Sequence, residues 1–373
     1  MTRETPVQSE SSPEVTEDQG CEVGPVTVCV TNFNGAEYLE ACLEGVTSLR
    51  GRIDDILVID NGSKDDSVAI IQRYPVRLIQ LSSNDGPCVA RNRGLLEATT
   101  RWVFQIDSDV VVKPDTLEQL WPQTEEEGVA AVQPRAVLRG EPSLVHYDGG
   151  SMHYVGMLCL DNFMQPIPAA SGEGEDVGAV VSMALLLDRT AVIEVGNYDE
   201  AFFILFEDHD LSYRLRACGY RLRRVLGATV DHLGGTAGLS YRPGSRSYPS
   251  RRAFLHGRNR TYLVLKNYSL LTLLVTLPGR FLFGTAWAVF SCRRGLALSY
   301  LKGRLDVIRL LPRALRARRR LAPQRRLRDG VLLEAESLTF SPIIARSKVE
   351  ARLEGALTVI LRGWWRLVRF LIS

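Results

Sequence analysis

The chain has 373 residues, 45% of them hydrophobic and 24% charged, and a formal net charge of +2. That length holds one large domain or two modest ones, and that apolar share can bury a core, which excludes a disordered protein. A charge so near balance exerts no global pull on nucleic acid, and the seven cysteines, odd in number and without a CxxC pair, favour a reducing compartment over a disulfide framework.

Residues 1–24 are rich in Glu, Ser, Thr and Pro and read as a flexible acidic tail, with no charged-then-apolar leader pattern. VTVCV at 26–30 has a buried-strand pattern and runs into the polar turn TNFNG; a helix over 36–49 then puts Leu39, Leu43 and Val46 on one stripe. DILVI at 55–59 is a second strand ending at Asp60, followed by a helix over 66–74 and a third strand over 76–81. Asn84, Gly86 and Pro87 open a helix carrying Arg91, and WVFQI at 102–106 is a fourth strand that stops at Asp107 and Asp109. Pro114 begins another helix and 129–133 is a fifth strand. This alternation predicts an α/β fold, a mostly parallel sheet flanked by helices.

Segment 135–178 has no clear period and is expected to lie over the sheet face as part of an acceptor site, whereas VGAVVSMALLL at 177–187 reads as a central strand. Phe202, Phe203, Leu205 and Phe206 then form an apolar wall before Glu207, Asp208 and Asp210, which stand in the first turn of a helix closed by Gly219. A strand follows, and His232 is expected on a loop. Beyond 268 come two apolar runs split by Pro278, Gly279 and Arg280, each short of the roughly 20 residues that span a bilayer. An arginine-dense stretch at 312–328 precedes ALTVILRGWWRLVRFLIS at 356–373, where Trp364, Trp365 and Phe370 alternate with Arg362, Arg366 and Arg369. That pattern suits a helix lying on an anionic membrane, with packing against the rest of the chain as the alternative. The expected division is a tail at 1–24, a catalytic domain at 25–268 and a helical, basic and amphipathic region at 269–373.

Chemistry gathers at strand ends. Asn32, Asp60 and Asp107 each close a strand, and ligands of open α/β sheets bind beyond such carboxyl ends. Asp107 and Asp109 stand two apart, so in an extended segment both carboxylates face one ligand, as a hard divalent cation carrying a diphosphate requires. Asp208, beside an apolar wall, is placed as a general base for a hydroxyl would be. A solvated turn, dipole partners of a helix and a structural histidine are the plainer alternatives for these three features.

The runs VTVCVTNFNGAEYLEACLEGV, ILVIDNGSKDDS, NDGPCVARNRGL, VFQIDSDVVVKPDTL and NYDEAFFILFEDHDLSYRLRACGYRL, in that order, resemble family 2 of the inverting glycosyltransferases, most closely its bacterial rhamnosyltransferase-type members. The resemblance covers about 26–268 and implies a GT-A fold, a nucleotide-sugar donor (UDP- or dTDP-linked), Mg²⁺ or Mn²⁺, and a glycan or lipid-linked acceptor. On matching positions it implies that Asp60 holds the base or ribose, that Thr31, Asn32 and Asn34 line the same pocket, and that Arg91 lies near the diphosphate. Asp107 and Asp109 match the DxD motif, with Asp109 on the metal and Asp107 on the sugar, the ribose or the metal. Asp208 in the ED motif is the implied base, with Glu207 beside it, and His232 a further metal or diphosphate contact. HGRNRTYLVLKNYS at 256–269 looks like the stretch that follows the family's catalytic domain. The expected location is cytoplasmic, peripheral at the inner face of the membrane. Two rivals remain: a nucleotidyltransferase acting on a sugar phosphate, and a non-catalytic basic binding protein, against which the confinement of arginines to one segment without a reading motif argues.

Overall fold

The computed structural model describes residues 22–167, 174–233, 248–339 and 348–373; most of the acidic tail lies outside them. The first part alternates as expected: β1 (Val26–Asn32), α1 (Ala36–Thr47), β2 (Ile53–Asp60), α2 (Ser67–Ile71), β3 (Arg77–Gln80), α3 (Pro87–Glu97) and β4 (Trp102–Asp107). β1 is buried along its whole length, and its alternate residues feed two cores, Val28 and Val30 on one face of the sheet and Cys29 on the other. Two glycines allow the helices to approach β1: a Cβ on Gly94 would stand 2.0 Å from Cys29 Sγ, and one on Gly35 would stand 2.2 Å from Asn32 Oδ1. Register then does the positioning, because Asn32 pairs with Asp60 and Thr31 with Asp107.

The chain continues through β5 (Val110–Val111), α4 (Thr116–Leu120), β6 (Val129–Leu138), β7 (Glu141–Tyr147), β8 (Gly150–His153), β9 (Met157–Leu160), β10 (Gly174–Asp176), β11 (Ala184–Asp188), α5 (Arg189–Glu194), α6 (Glu207–Ala217) and β12 (Arg221–His232). The main sheet has the order β10-β12-β6-β11-β4-β1-β2-β3, with β5 on β12 and β7 on β6. It is mixed rather than mostly parallel: β11 is central but runs antiparallel to both β4 and β6. Only the second half of the 177–187 run is strand. Segment 135–178 is also more regular than expected, since β6 runs on to Leu138 and turns back as β7. Arg135 is fully buried there, Nε donating to Asp148 Oδ1 at 2.8 Å. The helix expected from Pro114 begins at Thr116.

α7 (Ser250–Asn267), α8 (Leu270–Val275), α9 (Leu277–Arg293), α10 (Ala297–Leu321), α11 (Asp329–Leu332), β13 (Leu333–Glu334) and α12 (Lys348–Val368) complete the chain. α10 lies along α7 through two glycine contacts, Gly257 on Tyr300 and Gly303 on the Phe254 carbonyl. Part of the arginine-dense stretch is internal. Arg313 pairs with Asp199 at 2.7 Å, Arg318 donates to the carbonyls of Leu265 and Tyr268, and Arg325 engages Tyr213 and Asp329. The two tryptophans of α12 also face the protein, Trp365 stacking on Tyr154 at 5.1 Å and Trp364 Nε1 donating to the Val275 carbonyl. Among the described residues no helix is long and apolar enough to cross a membrane.

Candidate active site

A cleft of about 330 Å³ opens at the carboxyl ends of β1 and β4. Thr31, Asn32, Arg91, Asp107, Asp109, Glu207, Asp208 and His232 all line it; Asn34 and Asp60 do not. Asp60 is buried behind the lining, its Oδ1 accepting from Asn32 Nδ2 at 2.9 Å and Ser63 Oγ at 2.5 Å, and its Oδ2 from the Ser63 N–H at 3.1 Å. Asn34, at φ 48°, accepts the Lys64 N–H on its Oδ1 and gives its own N–H to Ser63 Oγ. These bonds brace the loop after β2 against the loop after β1.

On the β4 side Asp107 is clamped by Thr31 Oγ1 at 2.9 Å and by Arg91, whose Nη2 donates to both carboxylate oxygens at 2.9 and 3.0 Å. Burial, and Asp109 close by, push the Asp107 carboxyl above its ordinary value, with Arg91 opposing. Asp109 Oδ2 lies 3.3 Å from His232 Nε2. His232 is the last residue of β12, not part of a loop, because β12 keeps pairing with β5 and β6 to its end. Its Nδ1 meets His146 Nδ1 at 2.8 Å, and burial, then His232, drive His146 down to about 3, so His146 is neutral. Among the described residues no group of three or more His, Cys, Asp and Glu side chains forms a metal cage. The donor set still fits a cation that takes one or two carboxylates and completes its shell with water and diphosphate oxygens, with Asp109, His232 and Asp107 as the residues that would hold it.

The opposite wall is built differently. Phe203, Leu205 and Phe206 have φ of 63°, 71° and 73°, the left-handed region, which costs a residue with a Cβ roughly 1–3 kcal/mol. α7 holds that turn in place. Asn259 Nδ2 lies within 2.9 Å of the carbonyls of Phe202, Ile204 and Leu205, so its two protons are shared among three acceptors. Arg258 donates to the carbonyls of Ala201 and Phe202, and Lys266 bridges Asp199 before the turn to Asp210 after it, at 2.7 and 2.8 Å. Gly86 packs under the turn, where a Cβ would stand 2.5 Å from the Phe203 carbonyl.

The turn presents Glu207 and Asp208 to different surroundings. Glu207 is buried, and one oxygen accepts from Arg91 at 3.2 Å while the other has no partner among the described residues; burial and the neighbouring Asp208 push its carboxyl up to about 8, with Arg91 opposing. Asp208 is half-buried, one oxygen accepting the Ser182 N–H at 3.1 Å, the other with no partner among the described residues. Arg251, in the first turn of α7, also lines the cleft, its guanidinium 4.5 Å from the Phe203 ring. Asn259, Arg258 and Arg251 are missing from the sequence-based set. The signal for Arg258 and Asn259 was the polar HGRN inside an otherwise amphipathic helix; Arg251, in the first turn, had none.

A sheet whose parallel strands end in paired acids, joined across an antiparallel strand to a half that delivers a second acidic pair, defines the GT-A class. Residues 27–154 match the model of glycosyl transferase family 2. The pre-mycofactocin glycosyltransferase of Mycobacterium tuberculosis is 31% identical over 278 residues, 73% of this chain and 53% of that protein. The N-acetylglucosaminyl-diphospho-decaprenol L-rhamnosyltransferase of the same organism is 29% identical over 238 residues, 55% of this chain and 75% of its own length. GalNAc-T7, crystallised with UDP, GalNAc and Mn²⁺, shares the fold at 16% identity with a TM-score of 0.54, over 71% of this chain and 52% of that one. Residues 27–154 thus carry a glycosyl transferase family 2 domain, and the chain spans about half the length of the first of these relatives.

Proposed function

We propose that the chain moves a sugar from a nucleoside-diphosphate donor to an acceptor hydroxyl with inversion. The observation that carries this is the pairing, across one cleft, of Asp107 and Asp109 with a half-exposed Asp208, one of whose oxygens has no partner among the described residues. Asp208 takes the proton of the acceptor hydroxyl as that oxygen attacks the anomeric carbon from the face opposite the leaving diphosphate. The Ser182 N–H orients the base. Glu207 holds Arg91 rather than accepting the proton, because it is buried and its carboxyl stays protonated up to about 8. Arg91 in turn fixes Asp107 for the donor, and Thr31, Asn32, Asn34 and Asp60 shape the nucleotide side. Asp109 and His232, with Asp107, are the proposed holders of Mg²⁺ or Mn²⁺, which when bound offsets charge on the diphosphate as a Lewis acid. Pre-positioning of the two substrates supplies much of the remaining acceleration.

The donor is read as a UDP- or dTDP-sugar, rhamnose or another hexose. The acceptor is read as a glycan or lipid-linked saccharide of cell-surface polysaccharide synthesis, met at the inner face of the membrane, with residues 25–268 as the catalytic unit. The rhamnosyltransferase and polysaccharide-synthase names among the relatives support that direction. The test is nucleoside diphosphate release from a panel of sugar nucleotides with and without Mn²⁺. Metal-dependent release from one donor, raised by an acceptor, supports the reading. Release of inorganic diphosphate from a nucleoside triphosphate, with none from any sugar nucleotide, overturns it.

A further inference from the structure

Large apolar side chains are exposed almost entirely on one part of the molecule. Among the described residues only Leu96 and Ile167 are exposed outside the helices and turns that follow α7. On α10 they recur as Leu298, Leu301, Leu305 and Ile308, at helical spacing, on the side away from Tyr300, Gly303, Val307 and Ala314, which pack inward. Lys302, Arg309 and Arg316 are exposed along one edge of this stripe, and the one acid paired there is Asp306, 3.2 Å from Arg309. α9 packs between α10 and α12 and exposes Phe281 and Val289, while α12 exposes Leu353, Ile360 and Leu367 beside Arg366.

We propose that this face, centred on the α10 stripe, lies on an anionic bilayer and sets the cleft beside it; the proposal rests on the transferase reading and names the surface that would meet a lipid-carried acceptor. Three observations select a bilayer. The stripe runs from Leu298 to Ile308, roughly 15 Å at 1.5 Å per residue, in the plane of contact, and no described helix is built to go through. The cations at its edge match anionic headgroups. The acidic tail at 1–21 has only Met1, Val7, Val15 and Cys21 as apolar residues, too few to cover such a face. The face also sits near the chemistry: Arg251 lines the cleft, and Gly257, six residues on and roughly 9 Å along α7, is where Tyr300 of α10 packs. The tryptophans of α12, by contrast, face inward, so removing residues 356–373 would uncover Tyr154 rather than test membrane contact.

The experiment floats the full chain with vesicles of phosphatidylcholine alone and of phosphatidylcholine with phosphatidylglycerol. The parent is expected to bind the anionic vesicles. Leu301→Glu with Leu305→Glu, both on exposed positions, should lower that binding at least tenfold, with nucleotide binding measured by calorimetry unchanged. Lys302→Gln with Arg309→Gln and Arg316→Gln should remove the preference for the anionic lipid. Equal vesicle binding by parent and variants overturns the proposal. So does a parent dimer that the Leu variants split, which gives the face to a second copy, or vesicle binding that emerges only when residues 1–21 are removed. Failure of the transferase reading looks different: no donor releases its nucleoside diphosphate, whatever the vesicles show.

Discussion

The two walls of the cleft are held by opposite means. On the nucleotide side, strand register brings Asn32 beside Asp60 and Thr31 beside Asp107, and each pair is joined by a side-chain hydrogen bond. On the other side, three bulky residues sit in left-handed backbone, and α7 restrains that turn from outside through Asn259 and Arg258. The first wall is a product of the sheet and the second is imposed on it. Binding should therefore tolerate damage that catalysis does not.

The sharpest break in that comparison is Asp208→Asn. It keeps shape but cannot accept a proton, so transfer should fall roughly 10² to 10⁴-fold while donor affinity stays near the parent's. Near-parent transfer by this variant alongside a dead Glu207→Gln would move the base one residue. Asp109→Ala attacks the other wall: calorimetric affinity for the nucleotide in Mn²⁺ should drop about tenfold or more, and the difference between metal and no metal should vanish. An unchanged metal response removes Asp109 from the site.

Asn259→Ala is expected to lower turnover about tenfold, the scale of one lost buried hydrogen bond, with donor KM unchanged. Val264→Ala, on the same helix and buried, serves as the control that costs stability without that split. If both variants lose turnover in proportion to melting temperature, Asn259 is only part of the packing. The smallest effect concerns pH. Glu207 ionises near 4.5 in the unfolded chain and near 8 in the folded one, so the native state binds more protons between those values. The parent should lose stability as pH rises from about 4.5 to about 8, and Glu207→Gln should flatten that slope in calorimetric melting. A variant as pH-dependent as the parent assigns the proton elsewhere, since Arg91 and Asp208 face the same carboxyl.

The difference between the walls also explains what could be read in advance. β1, β2 and β4 are apolar runs that stop at polar residues, a local pattern, and the first acids were legible with them. β11 was legible as a central strand but its antiparallel direction was not, because an apolar run reads alike in both directions, and the first half of 177–187 becomes the loop that offers the Ser182 N–H to Asp208. Arg135 hid the extension of β6, since a charge signals a loop unless its partner, Asp148, is known. Nothing in Phe203, Leu205 or Phe206 announces positive φ, as none is Gly or Asn. Periodicity revealed that α12 has two faces but not that Trp364 and Trp365 belong to the inner one.

Asn259 leaves the ribosome well after Asp208. A nascent chain that has emerged only through β12 already contains every strand of the main sheet and the paired acids at its edge, while the turn before the acidic helix still lacks its hydrogen bonds from α7. On the proposed reading, competence to grip a nucleotide and competence to use it would be acquired at different moments of synthesis, and a product stopped between them would occupy its donor in silence.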